Sequence, residues 1–236
     1  DVAYATALGD APYSEGIVAL ATAENIATDL ILRVPGRVPG LYLIDTDASG
    51  ERSFSYWRST SAARQMFGAG SGLTPEFLDG FDTLYLSGIT IAILDGPARD
   101  RLADELTRFR ARGGRVAFDS NYRPVLWPDV TTARNQMSRF IALTDIAFPS
   151  LDDEAALTGE AGTGAILDRY AQAGIRQGAL KCGAAGAIAL DGSGLHRAAT
   201  AGLRVVDTTA AGDSFNAGFL AALDRGDARV VAPDRP

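Results

Sequence analysis

The sequence predicts an α/β protein in which a mostly parallel central sheet is covered by helices on both faces and a small antiparallel β unit is inserted near the start. Three observations lead there. From Leu73 onward, short apolar runs alternate with amphipathic helical patterns, the rhythm of right-handed β-α crossovers. Between residues 30 and 58, three short strand candidates are separated by Pro-Gly and Asp-Ala-Ser-Gly turn chemistry, which favours antiparallel pairing. Polar and glycine-rich clusters follow the predicted strands, and in an open parallel sheet the strand ends form one edge, where ligands bind.

Composition narrows the class. The 236 residues are 47% hydrophobic, enough for one substantial core and a small appendage. A formal charge of −7 disfavours nucleic acid as a partner, and no window approaches the apolar length of a membrane span. Cys182 is the only cysteine, so no disulfide framework is possible and a reducing compartment, the cytoplasm, is expected. The chain opens directly in a strand-like run, Val2 to Gly9, with no initiator Met, so we expect its true N-terminus to lie upstream.

That opening strand leads into Pro12 to Asn25, where Tyr13, Ile17, Leu20 and Ala21 suggest an amphipathic helix. The candidates of the antiparallel unit are Leu30 to Val34, Leu41 to Asp45 and Arg52 to Arg58. Side chains alternate faces along a strand, so Tyr42 and Ile44 share one side, as do Phe54, Tyr56 and Arg58. Two readings fit: Tyr56 and Arg58 grip one polar ligand, or an exposed hairpin simply carries amphipathic residues. Thr74-Pro75-Glu76 has helix-start chemistry, and Thr83 to Gly88 is an apolar strand ending on small residues. Pro97 opens a helix with Ala98, Leu102, Leu106 and Phe109 on one face, and Gly113-Gly114 closes it. Val116 to Phe118, Ile146 to Phe148 and Ala179-Leu180 are the next strands, with helices over Ala133 to Leu143 and Ala165 to Ala173 between them. Leu203 to Val206 reads as a last buried strand, and Phe215, Phe219, Leu220 and Leu223 mark the last helix.

Ser87-Gly88, Asn121 with Arg123, Ser150 with Asp153, Lys181 with its glycines, and the run from Asp207 to Asp213 all fall at strand ends. Polar β-α loops are ordinary, so one such cluster proves little; their convergence on one edge favours a site. Lys181 is the only lysine of the chain, and a flexible ammonium beside glycines suits a phosphate. The run Asp207-Thr208-Thr209-Ala210-Ala211-Gly212-Asp213 joins a strand to a helix through small residues. It leaves the N–H groups of Ala210, Ala211, Gly212 and Asp213 uncovered as an anion site. Asp213 has two readings: a helix cap and dipole partner, or a general base for an acceptor hydroxyl beside a bound polyphosphate. His196 reads as a surface residue between two short strands, and Gly68 to Gly72 as a flexible loop. Zinc-ligand spacing, a G-x-S-x-G elbow, a Walker pattern and a G-x-G-x-x-G fingerprint after a strand are all absent.

The run from Asp207 to Asp213, with Asn216-Ala217-Gly218-Phe219 behind it, resembles the C-terminal signature D-T-x-G-A-G-D of the ribokinase-like (PfkB) carbohydrate kinases. Ala210 departs from that pattern, so the loop either avoids positive φ there or is slightly strained. Gly40-Leu41-Tyr42, Tyr56-Trp57-Arg58, Leu86-Ser87-Gly88-Ile89-Thr90 and Asp119-Ser120-Asn121-Tyr122-Arg123 resemble the 2-keto-3-deoxygluconate kinases within that family.

The resemblance implies a ribokinase-like three-layer fold, with residues 1–29 and 60–236 as the nucleotide-binding α/β core and residues 30–59 as a β lid over the sugar site. It implies ATP-dependent phosphorylation of 2-keto-3-deoxygluconate to its 6-phosphate, with a fructokinase or ribokinase type as the alternative. Asp213 is then the base and Arg123 a stabiliser of the transferring charge, with the anion hole at Ala210, Ala211, Gly212 and Asp213. Tyr42, Tyr56, Arg58, Ile89, Arg123 and Asp213 line the sugar-acid site. Asn121, Tyr122, Arg123, Ser150, Lys181, Gly183 and Gly186 form the nucleotide side. Ser150 to Asp153 stands where the family has N-x-x-E, which positions hydrated Mg²⁺, so Asp153 inherits an indirect metal role. A monovalent cation near Asp207 and a homo-oligomer formed through the lid complete the expectation. Relative to the family, we expect the N-terminal G-G-x-x-x-N segment to be missing from this chain, together with the helix and adenine-contacting loop that the family has between the positions of Leu223 and Ala228.

Overall fold

The computed structural model describes residues 1–46, 52–68, 73–190, 195–200 and 208–226. It divides into two units, residues 1–80 with 93–105, and residues 81–92 with 106–236. The strand expected at Leu203 to Val206, Asp207, and most of the Gly68 to Gly72 loop lie outside the described residues.

The first unit opens with a β-α-β turn of chain: β1 (Thr6–Leu8), α1 (Pro12–Ala23) and β2 (Ile31–Arg33). Pro12 sits at the first helical position, where its missing N–H costs nothing, and the chain leaves the helix through Asn25 at φ 58°. β2 runs parallel to β1 in the register Thr6 to Ile31 and Leu8 to Arg33. This corrects the expectation that Leu30 to Val34 joins the antiparallel sheet. Val34 N donates to Leu8 O at 2.8 Å, continuing the parallel ladder, and Pro35 and Pro39 remove two ladder donors from the stretch that follows. The antiparallel sheet is therefore two-stranded, β3 (Leu41–Thr46) with β4 (Arg52–Trp57). In its register Tyr42 faces Tyr56, and Leu41, Tyr42, Leu43, Tyr56 and Trp57 are all exposed. Two helices, α2 (Gly88–Ile93) and α3 (Gly96–Ala111), each contribute residues to both units. Asp95 caps α3 by accepting from Ala98 N at 2.8 Å, and Arg101 Nε donates to Phe67 O at 2.7 Å. Phe67 in turn meets the Phe77 ring at 5.6 Å.

The second unit is built on a six-stranded sheet in the order β10-β9-β8-β7-β6-β5. Its strands are β5 (Thr83–Ser87), β6 (Arg115–Asp119), β7 (Ile146–Phe148), β8 (Gln177–Lys181), β9 (Ala187–Leu190) and β10 (Leu195–Ala198). The helices are α4 (Val130–Ile141), α5 (Leu151–Thr158), α6 (Thr163–Gln172) and α7 (Ala211–Asp224). β5 to β8 pair in parallel, as the alternating rhythm predicts, whereas β8, β9 and β10 form an antiparallel meander. His196 lies inside the edge strand β10, opposite Ala189 and half-buried, not between two strands.

Local chemistry accounts for the helix starts. Asp129 caps α4 by accepting from Thr132 N at 2.7 Å, and Ser150 caps α5 by accepting from Asp153 N at 3.4 Å. α5 ends on Gly159 in the left-handed region, φ 83°. Glu154, fully buried on α5, accepts from the Tyr170 hydroxyl at 2.7 Å and pairs with Arg169, tying α5 to α6. Burial, reinforced by the Glu154 charge, pushes the Tyr170 phenol well above its ordinary range, so it stays a donor.

The core shows why both sheet faces are apolar. Ala117, Ile146, Phe148 and Ala179 form one buried cluster with Phe219 of α7, whose ring meets Phe148 edge-on at 5.3 Å and 82°. Val116, Phe118, Ala147 and Leu180 alternate with these and are also buried, so the opposite face is covered too.

Candidate active site

Period-two alternation sets the site. On the sheet face covered by α7, Tyr85 pairs in register with Ala117, and Asp119 and Lys181 follow two residues after Ala117 and Ala179. Tyr85, Asp119 and Lys181 therefore point to the helix that carries Asp213, and Asn216, three residues after Asp213, turns into them. Asp119 Oδ2 accepts from Lys181 Nζ and from Asn216 Nδ2, both at 2.6 Å. Asn216 Nδ2 is 3.1 Å from the Tyr85 hydroxyl, and Lys181 Nζ lies 3.4 Å from Asn216 Oδ1. Asp119 and Asn216 are only 2% and 1% exposed, so these polar groups are satisfied by one another in a low-dielectric setting. Burial, then the Asp119 charge, pushes the Tyr85 phenol far above its ordinary value, with Asp213 adding to the rise. Sequence reasoning placed Lys181 at the site and missed Tyr85, Asp119 and Asn216; the signal available was parity with the buried apolar residues of the same strands.

The loop after β6 brings Asn121, Tyr122, Arg123, Ser150 and Asp153 together. Asn121, at φ 30°, donates its N–H to Asp119 Oδ1 at 3.0 Å. Asp153 accepts from Tyr122 N at 3.2 Å and from Arg123 Nη1 at 3.1 Å, and the same Nη1 donates to Tyr122 O at 2.8 Å. Ser150 N donates to Ser120 Oγ at 3.3 Å, and Ser150 bridges Lys181 in parallel register. Gly88, at the end of β5, is required by closeness: a Cβ there would lie 2.0 Å from Ser120 O. Ile89 follows it, half-buried at the start of α2.

Burial holds the Asp153 carboxyl above its ordinary value of 3.8, against the pull of Arg123 and the Tyr122 N–H, while Asp119 adds to the rise. The folded state binds this proton more tightly than the unfolded chain, so Asp153 costs stability as pH climbs from its unfolded value through its folded one. We expect Asp153→Asn to gain stability relative to the parent as pH rises above the ordinary carboxylate range. Urea midpoints across that rise test it, and a constant difference would refute it. Asp153 uses one oxygen for the Tyr122 N–H and the other for Arg123, and no group of three His, Cys, Asp or Glu side chains stands together among the described residues.

In the loop leading to α7, Ala210 adopts φ 59°, ψ 12°, so of the two expectations for this position strain is the one realised. The left-handed region costs a non-glycine residue roughly 1–2 kcal/mol, and glycine's extra freedom in the unfolded chain returns about 0.5–1 kcal/mol of that. Ala210→Gly should therefore stabilise the fold by about 0.5–1 kcal/mol in denaturant unfolding; destabilisation would contradict the conformation. Ala211 N donates to Thr208 O at 3.2 Å, so the chain itself engages that member of the expected anion hole. Gly212 and Asp213 lie in the first helical turn, and Ser214 N closes the turn on Ala210 O at 2.9 Å. A Cβ on Gly212 would stand 3.5 Å from Lys181 Nζ, so the ammonium lies beside the loop. Gly183 and Gly186 have φ of 56° and 89°, and at Gly186 a Cβ would fall 1.9 Å from Ala198 O. The backbone alone thus requires glycine at Gly186.

The first unit holds Tyr42, Tyr56 and Arg58. The two tyrosine rings, cross-strand partners, are 6.1 Å apart, and the Arg58 guanidinium lies 4.1 Å from the centre of the Tyr56 ring. Arg58 Nη2 is buried with no hydrogen-bond partner among the described residues. Gly40 leaves room beside it, since a Cβ there would come within 3.0 Å of Arg58 Cβ.

Known proteins resemble this chain. A relative from Dickeya dadantii (strain 3937) named 2-dehydro-3-deoxygluconokinase is 44% identical over 98% of this chain and 77% of its own length. A relative of the same name from Escherichia coli K12 is 42% identical over 93% of this chain and 73% of its own. The crystal structure of a PfkB protein from Polaromonas sp. JS666 superposes with a TM-score of 0.82 at 27% identity, covering 96% of this chain and 74% of that one. The model of the pfkB family carbohydrate kinases matches residues 1–230, the span that carries both the Ala210 to Asp213 loop and the Tyr56 and Arg58 pair, and the chain belongs to that family.

Proposed function

We propose that this carbohydrate kinase phosphorylates 2-keto-3-deoxygluconate, which is 2-dehydro-3-deoxygluconate, at its 6-hydroxyl with ATP. The observation that carries the choice of a sugar acid is the Arg58 guanidinium, stacked on Tyr56 with one nitrogen buried and without a hydrogen-bond partner among the described residues. A carboxylate supplies what that nitrogen lacks, whereas a neutral sugar leaves a buried charge-bearing donor poorly matched. The 44% identical relative supports the same choice.

In this reading Tyr42, Tyr56 and Arg58 contact the sugar acid, and Ile89 and Arg123 carry the same assignment by family resemblance. Asp213 accepts the proton of the 6-hydroxyl as its oxygen bonds to the γ-phosphorus and the bond to the bridging oxygen of ADP breaks. The N–H groups of Gly212 and Asp213, the Lys181 ammonium and Arg123 balance charge on the phosphoryl oxygens. Asn121, Tyr122, Ser150, Gly183 and Gly186 shape the nucleotide side. Mg²⁺, when bound, would supply charge neutralisation at the phosphates, and Asp153 would be the side chain that acts on it indirectly. A monovalent cation beside Asp207 belongs to the same proposal.

Residues 30–59 serve as a lid that excludes water from the transfer. Its exposed Leu41, Leu43 and Trp57 support pairing with the lid of a second copy. Among the described residues no helix is long and apolar enough to cross a membrane, and the single cysteine suits the cytoplasm. A coupled ADP-release assay over sugars and sugar acids tests the substrate. Preference for 2-keto-3-deoxygluconate is expected; preference for fructose or ribose would replace it with the corresponding kinase.

A further inference from the structure

We infer that Asp119 is a positioning residue that holds the Lys181 ammonium against the phosphate-facing loop, with Asn216 locking the pair to the helix that bears Asp213. This rests on the kinase reading above and concerns the same site.

One carboxylate touches three elements. Asp119 Oδ2 takes the Lys181 ammonium and the Asn216 amide, each at 2.6 Å, while Oδ1 takes the N–H of Asn121, two residues before Arg123. The Lys181 side chain is 14% exposed and that of Asp119 3%, so the pair sits at the boundary between core and site. A free lysine head explores many rotamers. Here Asp119 and Asn216 restrict it from behind, and its open side faces the space beside Gly212, where its Nζ is 3.5 Å from the Cβ position. A phosphate oxygen arriving at that loop meets a cation already in place, without reorganisation at the moment of transfer. The full burial of Asp119 keeps it from competing for solvent or metal, which separates its role from that of Asp153.

A double-mutant cycle decides this. kcat, both KM values and the Kd of metal-free ADP by calorimetry are measured for the parent, Lys181→Ala, Asp119→Asn and the double variant. Each single change should lower kcat roughly 10²-fold and weaken ADP, with KM for 2-keto-3-deoxygluconate held within about twofold. The double variant should fall no more than about threefold below the weaker single one, because both remove the same fixed cation. A folded Asp119→Asn with near-parental kcat and ADP affinity, or losses that multiply in the double variant, overturns the inference and leaves the kinase reading intact. An unaffected Lys181→Ala overturns it together with the nucleotide role of Lys181. If the parent phosphorylates no sugar, the kinase reading falls and the ADP affinities decide the coupling by the same comparison. Should Asp119→Asn lack a parental melting transition, Asn216→Ala takes its place in the cycle with the same opposing outcomes.

Discussion

Asp213→Asn is expected to lower kcat by roughly two to four orders of magnitude, the range for loss of a general base. The melting transition and the affinity for ADP should stay close to those of the parent. Asp213 is exposed in the first turn of α7, so the amide introduces no buried mismatch, and the helix keeps its closing bond from Ser214 N to Ala210 O. An asparagine preserves size and the polar edge but cannot take a proton from a hydroxyl. The two readings of Asp213 part at this point. A residue that serves only as a helix cap and dipole partner would cost stability of about 0.5–2 kcal/mol and leave turnover alone. A drop in melting temperature with near-parental kcat would therefore remove Asp213 from the chemistry.

Arg58→Ala carries the next largest effect. It should cost about 2–4 kcal/mol in kcat/KM for 2-keto-3-deoxygluconate, the scale of a desolvated charge pair losing one partner. The guanidinium is held over the Tyr56 ring at 4.1 Å, so it is already oriented before a ligand arrives, and its buried Nη2 has no described partner to release. Preorganisation of this kind turns most of the charge-assisted bond into affinity. Neutral sugars gain nothing from it, so discrimination between acid and neutral substrates should shrink by the same factor. Equal losses on both substrate classes would mean that Arg58 acts through packing, and the assignment of a sugar acid would fail with it.

Much of this was legible in the chain. The position of Pro97 and the Gly113-Gly114 stop bounded α3, because capping and backbone preferences act within a turn of helix, whereas α5 after Ser150 was not foreseen. The pairing of Tyr56 with Arg58 was readable as well, since a strand's period of two is local geometry, and the ring stack is its outcome. The anion loop was legible in outline, but its inner bonding was not: Ala211 N turns back to Thr208 O, a choice made by the turn that Ala210 adopts.

What the sequence by itself determined is the alternation of strands and helices, the gathering of polar residues at strand ends and the identity of the loop before α7, all of which follow from short-range periodicity and turn chemistry. Only the tertiary structure decided which strands pair. β2 chose β1 over the neighbouring hairpin, and β9 and β10 turned antiparallel, because ladder partners are selected by long-range burial that a short apolar run does not encode. It also decided the hub at Asp119. Lys181 and Asn216 lie 62 and 97 positions away in the chain, and they meet there because the register of β6 and β8 and the docking of Phe219 on Phe148 bring three separate segments to one buried carboxylate.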